Sequence, residues 1–96
     1  MAAYFIVDQK GITDPETMQA YAAGAGATIE QYGGRFIVRG GDPETIEGDW
    51  QAGRIVVLEF PDRAALMAWY NSPEYAELKA MRLASSSANV IAVDGV

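Results

Sequence analysis

The residue types available for chemistry in this chain are restricted, because its 96 residues include neither cysteine nor histidine. The absence of both excludes thiolate nucleophiles, Ser-His-Asp triads, cysteine or histidine zinc sites and histidine-ligated haem. Any reaction must therefore use Asp, Glu, Tyr, Arg, Lys or Ser side chains. We expect neither a metal site nor a bound cofactor.

Glu59 is the leading candidate for an acid or base, since it directly follows the apolar residues 55–58. A buried and unpaired carboxylate in such a segment has a raised pKa and can exchange protons near neutral pH. One alternative is a structural ion pair of Glu59 with Arg39 or Arg82. Another is an exposed position at the strand end beside Pro61.

Arg39 precedes the pair Gly40-Gly41 and is a candidate ligand-binding residue. Glycines let a ligand approach the backbone closely, and a guanidinium can bind a carboxylate or phosphate through two parallel hydrogen bonds. The alternative is a hairpin turn in which a neighbouring acidic residue holds the arginine. Nucleotide binding is not indicated, because neither the dinucleotide glycine spacing nor the lysine-containing phosphate loop is present.

Aromatic residues surround a helix break at residues 71–73. Trp69 and Tyr70 precede the break and Tyr75 follows it, so these rings and Ser72 could line a pocket between helices and sheet. Tyrosines can orient a small polar ligand or transfer a proton. The alternative is that the aromatic residues belong to the core. The combined hypothesis assigns proton transfer to Glu59 and Tyr70, and ligand binding to Arg39, Trp69, Ser72, Tyr75 and Arg82.

The segments that would position these residues alternate between strand and helix patterns. Runs rich in branched and aromatic residues predict strands at 3–8, 35–39, 54–60 and 88–94. Asp14-Pro15 predicts a helix start, and Gly33-Gly34 predicts its end. A second helical region begins at Asp62 and is divided at Ser72-Pro73, because proline disfavours helical backbone in the residue before it.

Two connections are harder to assign. The long segment 40–53 is expected to hold a ragged strand extension at 45–47 and then a surface loop with Trp50. Residues 85–87 are expected to form a loose link to the last strand. Gly24 and Gly26 lie inside the first helix, where each destabilises it, so close packing against another element is expected there.

The order strand, helix, strand, strand, broken helix, strand predicts a single domain of the ferredoxin-like α+β fold, with a four-stranded antiparallel sheet and its helices on one face. Alternate residues of a strand point to opposite faces of the sheet, and residues 4–7 and 55–58 are apolar at every position. The face of the sheet that the helices do not contact is therefore also expected to be buried. A second copy of the chain is the simplest cover. We therefore predict a homodimer, with Trp50 as an anchor into the partner subunit.

The net charge of the chain limits which other molecules it is expected to bind. Thirteen acidic against seven basic residues give a net charge of −6, and the basic residues form no cluster. Nucleic acid and anionic membranes are therefore not expected partners. No apolar run approaches the length of a membrane span, and residues 1–8 lack a cationic leader and a cleavage site. We predict a cytoplasmic protein whose partners are a second copy and a small organic ligand.

Short motifs spread over nearly the whole chain resemble those of a family called domain of unknown function 1330, in the dimeric α+β barrel superfamily. The motifs are Tyr32-Gly33-Gly34-Arg35-Phe36, Val38-Arg39-Gly40-Gly41, Glu47-Gly48-Asp49-Trp50, Glu59-Phe60-Pro61, Ala68-Trp69-Tyr70 and Ser72-Pro73-Glu74-Tyr75. The resemblance implies the ferredoxin-like fold and the dimer barrel. The wider superfamily includes cofactor-free monooxygenases, haem degraders and small isomerases, but the family itself implies no particular activity.

Two functions are consistent with these patterns. One is a dimeric small-molecule site between sheet and helices, with cofactor-free proton transfer or dioxygen-dependent oxidation. The other is a non-catalytic ligand-binding or structural homodimer. A closed and fully packed helix–sheet interface would favour the second, and an open pocket that contains Glu59 would favour the first.

Overall fold

Seven helices and strands follow one another in the computed structural model, which describes residues 1–96. In chain order they are β1 (Ala3–Ile12), α1 (Pro15–Gln31), β2 (Arg35–Gly40), β3 (Arg54–Phe60), α2 (Arg63–Tyr70), α3 (Pro73–Ser85) and β4 (Ser86–Asp94). The predicted order of elements is confirmed. None of the helices is long and apolar enough to cross a membrane.

Each helix begins at a residue whose side chain accepts a hydrogen bond from a backbone N–H in the first turn. These N-cap residues are Asp14, Asp62 and Ser72. Pro15 and Pro73 follow two of them, in a first turn where the missing N–H has no partner to lose. The caps explain why the second helical region is divided at Ser72 into α2 and α3.

The sheet is four-stranded and antiparallel, in the order β2-β3-β1-β4, which is the ferredoxin-like arrangement. Opposed residues of neighbouring strands share a face. Phe5 of β1 lies opposite Leu58 and Ala92 on the face that the helices cover. The other face, called the open face below, carries an apolar group: Ile6, Ile55, Val57, Ile91 and Val93.

The core lies between the helix-covered face and the helices, with Trp69 at its centre. The Trp69 ring is fully buried, and its centroid lies 5.1 Å from that of Phe5 and 4.2 Å from that of Tyr75. The indole N–H donates to the hydroxyl of Thr28 on α1 at 3.1 Å, so the polar atom of this ring is satisfied inside the core.

The close approach expected at the helix glycines is confirmed for one of them. A Cβ atom at Gly24 would lie 3.1 Å from the Cδ2 atom of Leu78, where α1 contacts α3. Nothing lies within 4 Å of the equivalent position at Gly26, so the expectation was wrong there. The difference follows from helix geometry, because residues two apart point to different sides of a helix.

The segment before β3 differs from the prediction, since residues 45–47 form no strand. Asp8 of β1 holds this loop instead. Its carboxylate accepts from the Trp50 indole N–H at 2.6 Å and from the backbone N–H of Gly53 at 2.7 Å, and it pairs with Lys10 at 2.8 Å. The hydrogen bond from Lys10, followed by that from Trp50, lowers the pKa of Asp8 to about 2.

The link before β4 is also tighter than predicted, because α3 ends at Ser85 and β4 begins at Ser86. The carbonyl oxygen of Ser85 accepts from the backbone N–H of Thr13 at 2.8 Å, and the Ser86 hydroxyl donates to the carbonyl of Arg82 at 2.9 Å. These bonds replace the loose connection, since they satisfy the backbone groups at the helix end without intervening loop residues.

Candidate functional site

A cavity of about 190 Å³ lies between α1 and the helix-covered face of the sheet. Most of its lining is apolar. The sheet contributes Phe5, Val7, Phe36, Val56 and Leu58. Helix α1 contributes Met18, Tyr21, Ala22, Ala25 and Ile29. The helix–sheet interface is therefore not fully packed, and the opening accommodates a small molecule.

The polar side chains that line the cavity are basic or neutral. They are Gln9, Arg39, Arg54 and Arg82, to which Tyr21 adds a phenolic hydroxyl. Gln9 of β1 lies directly opposite Arg54 of β3, which places their side chains on one face. No aspartate or glutamate lines the cavity. Its polar groups are therefore suited to an anion or to a hydrogen-bond acceptor.

Arg39 reaches this cavity because β2 contains a β-bulge. Phe36 lies opposite Leu58, but Val38 lies opposite Val57 and Arg39 opposite Val56, so Ile37 is an extra residue in the pairing. Without the extra residue, strand alternation would turn Arg39 away from the face that carries Phe36. With it, the Arg39 guanidinium carbon lies 4.0 Å from the centroid of the Phe36 ring.

Arg82 reaches the cavity from α3 and is held by two tyrosines. Its side chain is buried, with 7% exposed, and Nε donates to the Tyr75 hydroxyl at 3.3 Å. That hydroxyl lies 2.8 Å from the hydroxyl of Tyr21 on α1. Burial, followed by the neighbouring Tyr75, raises the pKa of Tyr21, so its phenol stays protonated at physiological pH.

Glu59 does not lie in the cavity, which corrects the expectation from the sequence. It lies opposite Tyr4 and Arg35, on the open face. Its carboxylate pairs with the guanidinium of Arg35 at 2.7 Å and accepts from the Tyr4 hydroxyl at 3.2 Å. Hydrogen bonding from Arg35 lowers the pKa of Glu59, the opposite of what an acid near neutral pH requires.

The ion-pair alternative for Glu59 was therefore right in kind and wrong in partner. The sequence indicated Arg39 or Arg82, but both of these line the cavity on the other side of the sheet. Arg35, whose partner in the sheet register is Glu59 itself, takes that role. Residues directly opposite each other on adjacent antiparallel strands have neighbouring side chains, so an opposite-charge pair forms readily there.

Four of the other predicted site residues, including Tyr75, lie outside the cavity lining. Ser72 caps α3, accepting from the Tyr75 backbone N–H and donating to the carbonyl of Trp69. Trp69 is part of the core. Tyr70 packs against it, with the Lys79 ammonium 4.2 Å from the centroid of its ring. Of the predicted site residues, the structure places Arg39 and Arg82 in the cavity lining. Tyr75 does not line the cavity, but its hydroxyl accepts a hydrogen bond from Arg82.

Three polar residues of the cavity were not singled out from the sequence: Gln9, Tyr21 and Arg54. The sequence contained a signal for Tyr21, because this residue lies on the apolar stripe of α1 and carries a hydroxyl group. Arg54 begins an otherwise apolar strand, but its face depends on register. Gln9 follows the predicted end of β1 and gave no signal, because the strand continues further than its apolar residues indicate.

The site lacks the groups needed for protein-assisted proton abstraction near neutral pH. Its titratable members are Tyr21, whose pKa is raised, and three arginines. No group of three or more acidic side chains is arranged to hold a metal ion. The arrangement can bind, orient and electrostatically stabilise a small ligand.

Comparison with known proteins identifies the fold and the family. A protein of unknown function from Rhodopseudomonas palustris has 19% sequence identity and a TM-score of 0.77, with 99% of this chain and 82% of that chain covered. A dimeric ferredoxin-like protein of unknown function from Jannaschia sp. CCS1 has 18% identity and a TM-score of 0.69, with coverage of 99% and 100%.

A third solved structure has a known activity. SnoaB, a cofactor-independent oxygenase from Streptomyces nogalater, has 14% identity and a TM-score of 0.62, with 99% of this chain and 93% of that chain covered. Likeness at these identities shows a shared fold. No curated protein matches the chain. Residues 2–96 match the model of the family described as Domain of unknown function (DUF1330). The chain therefore belongs to the DUF1330 family and has a ferredoxin-like fold.

Proposed function

We propose that this protein is a homodimer that binds a small organic molecule in the cavity between α1 and the sheet. The observation that carries the proposal is the cavity itself, about 190 Å³ of space beneath α1 with a mostly apolar lining. Binding sites of this kind combine apolar walls with a few polar groups that fix orientation. A purely structural dimer would be expected to pack this interface fully, because unfilled space destabilises a core.

The dimer part of the proposal rests on the open face. Ile91 lies on the edge strand β4, opposite Ile6 of β1, and is 59% exposed, while Val93 on the same strand is 41% exposed. Leaving such residues in water forfeits about 25 cal/mol for each Å² of apolar surface that association could bury. The Jannaschia relative with this fold is described as dimeric. A second copy of the sheet would cover the apolar residues in one closed, two-fold assembly.

Ligand binding is tested with a panel of small fragments that includes neutral, anionic and cationic members. Binding is followed by ¹⁵N NMR chemical shifts, which also report that the protein is folded. Ala22 lines the cavity but is itself exposed, so Ala22→Phe should block the site without entering the packed core. Ala23→Phe, on the adjacent exposed residue that does not line the cavity, is the matched control.

We expect at least one fragment to shift cavity resonances in the wild type and in Ala23→Phe, but not in Ala22→Phe. If no fragment of any charge binds there, the ligand-binding proposal is wrong, and a structural role for the dimer remains. Binding that is equal in all three proteins would place the ligand elsewhere on the surface.

A second candidate function is oxidation of the bound ligand by dioxygen without a cofactor. The observation in its favour is the set of three guanidinium groups, which would stabilise the ionised form of a phenol or enol. SnoaB, with the same fold, is a cofactor-independent oxygenase. A hydroquinone, for example, would lose two electrons and two protons to dioxygen and yield a quinone and hydrogen peroxide. Oxygen uptake and peroxide release that require Arg82 would support this candidate, and their absence across a phenol panel would exclude it.

A further inference from the structure

The charges of the cavity lining allow the ligand class to be narrowed. The chain has five arginines, and the two that lie outside the cavity both pair with carboxylates: Arg35 with Glu59 at 2.7 Å and Arg63 with Asp94 at 3.0 Å. The three that line the cavity make no such pair. In a protein with thirteen acidic residues, this separation leaves the cavity as a positively charged space without a counter-charge.

Of the three arginines in the cavity, Arg82 is the one most affected by the missing counter-charge, because it is the buried one. Removing a guanidinium from water is costly, and buried charges are normally paired. Arg82 is only 7% exposed, yet its side chain makes one hydrogen bond, from Nε to the neutral hydroxyl of Tyr75. The guanidinium therefore has N–H groups to spare at the cavity wall. A bound anion would supply the missing counter-charge.

We propose, building on the ligand-binding function above, that the cavity takes a small carboxylate carried on a single ring or a similarly compact apolar body. The carboxylate binds the Arg82 guanidinium, with Arg39 and Arg54 lining the same space, and the apolar body lies against Phe5 and Phe36. A cavity of about 150 Å³ is known to hold benzene. The present 190 Å³ therefore accommodates one ring with a carboxylate attached.

Carboxylate fits better than phosphate for two reasons. A planar guanidinium and a planar carboxylate form two parallel hydrogen bonds, which suits the single buried arginine. The walls are otherwise largely apolar and include no lysine of the kind that phosphate sites use. A phosphate would leave its remaining oxygens against apolar side chains.

The test compares two probes of nearly equal shape, benzoate and benzamide, by NMR titration at neutral pH and low salt. Benzoate is expected to bind at least about tenfold more tightly, because a hydrogen bond between a guanidinium and a carboxylate is stronger than one to a neutral amide. In Arg82→Gln the benzoate affinity should fall by about tenfold or more, while the benzamide affinity changes little. Arg63→Gln, at an exposed ion pair away from the cavity, is the matched control and should retain the preference.

Arg82→Gln affects a buried residue, so a second variant keeps the test decisive if that protein does not fold. Arg39 is exposed, and Arg39→Gln should weaken benzoate about two- to fivefold without unfolding the protein. Equal affinities for benzoate and benzamide, both lost in Ala22→Phe, would overturn the carboxylate assignment and leave the ligand-binding function standing. Absence of benzoate binding overturns the assignment as well, and only failure of the whole fragment panel removes the proposed function.

Discussion

Arg82 and Tyr75 lie seven residues apart on α3, and the guanidinium donates from Nε to the phenolic oxygen at 3.3 Å. Tyr75 is fully buried, and its hydroxyl also contacts that of Tyr21 at 2.8 Å. The pair thus joins a positive charge to a hydrogen-bonded tyrosine network rather than to a carboxylate. This arrangement orients the charge and leaves it without an acidic counter-charge.

The first prediction concerns the stability cost of this charge. Arg82→Met should leave the free energy of unfolding within about 1 kcal/mol of the wild-type value or raise it, because a buried unpaired charge is removed while the apolar stem is retained. Tyr75 keeps its contact with Tyr21 in the variant. Urea denaturation measures the difference, with Arg63→Met as the surface control. A loss of more than about 2 kcal/mol would show that Arg82 is a structural group.

The second prediction concerns the pH dependence due to Glu59. Arg35 holds its pKa below the ordinary value of 4.5, so the pair stabilises the fold above that pH, and the contribution is lost as pH falls through the folded pKa. Glu59→Gln should therefore be less stable than the wild type at neutral pH. The difference should shrink as pH falls below 4.5 and through the lowered folded-state pKa of Glu59. A variant more stable than the wild type at neutral pH would contradict this role.

The third prediction concerns the open face. Ile91→Asp should weaken the dimer at least about 30-fold, since a carboxylate in an apolar interface loses its hydration. Sedimentation equilibrium at micromolar concentrations measures the change. Leu83→Asp is the control, because Leu83 on α3 is similarly exposed, at 61%, but lies outside the sheet. A wild-type protein that sediments as a monomer would refute the dimer altogether.

The fourth prediction concerns Trp50, whose indole N–H is held by Asp8 while 57% of the residue remains exposed. Trp50→Ala should weaken the dimer by about 2 kcal/mol or more if the ring anchors the partner subunit. Trp50→Phe retains an aromatic ring but cannot donate to Asp8, so it separates apolar contact from the hydrogen bond. An unchanged dimerisation constant in Trp50→Ala would place the ring on the free surface.

The fifth prediction concerns the polar contact in the core. Thr28→Val removes the acceptor of the Trp69 indole N–H without changing side-chain shape. We expect a loss of about 1–3 kcal/mol in the free energy of unfolding, because a buried donor is left without a partner. Thr28→Ser retains the hydroxyl and should lose less. Equal losses in the two variants would show that packing, not hydrogen bonding, dominates at this position.

The sequence by itself determined the order of helices and strands. It also excluded the catalytic mechanisms and metal sites that require cysteine or histidine. Local signals were sufficient for the order of helices and strands, because helix caps such as Asp14 and Ser72 act within one turn. Because β1 and β3 carry apolar residues on both faces, the sequence likewise predicted a second covered face. The lack of cysteine and histidine required no structure at all.

Only the tertiary structure decided which polar residues meet, because that depends on register and not on local pattern. The bulge at Ile37 turns Arg39 towards the cavity. The residue types of β2 do not indicate that this strand contains a bulge. Glu59 faces the other side of the sheet because it alternates with Leu58 and Phe60, whose side chains the helices cover. The cavity itself arises from the fit of α1 over the sheet. It is a property of how the side chains pack together in three dimensions.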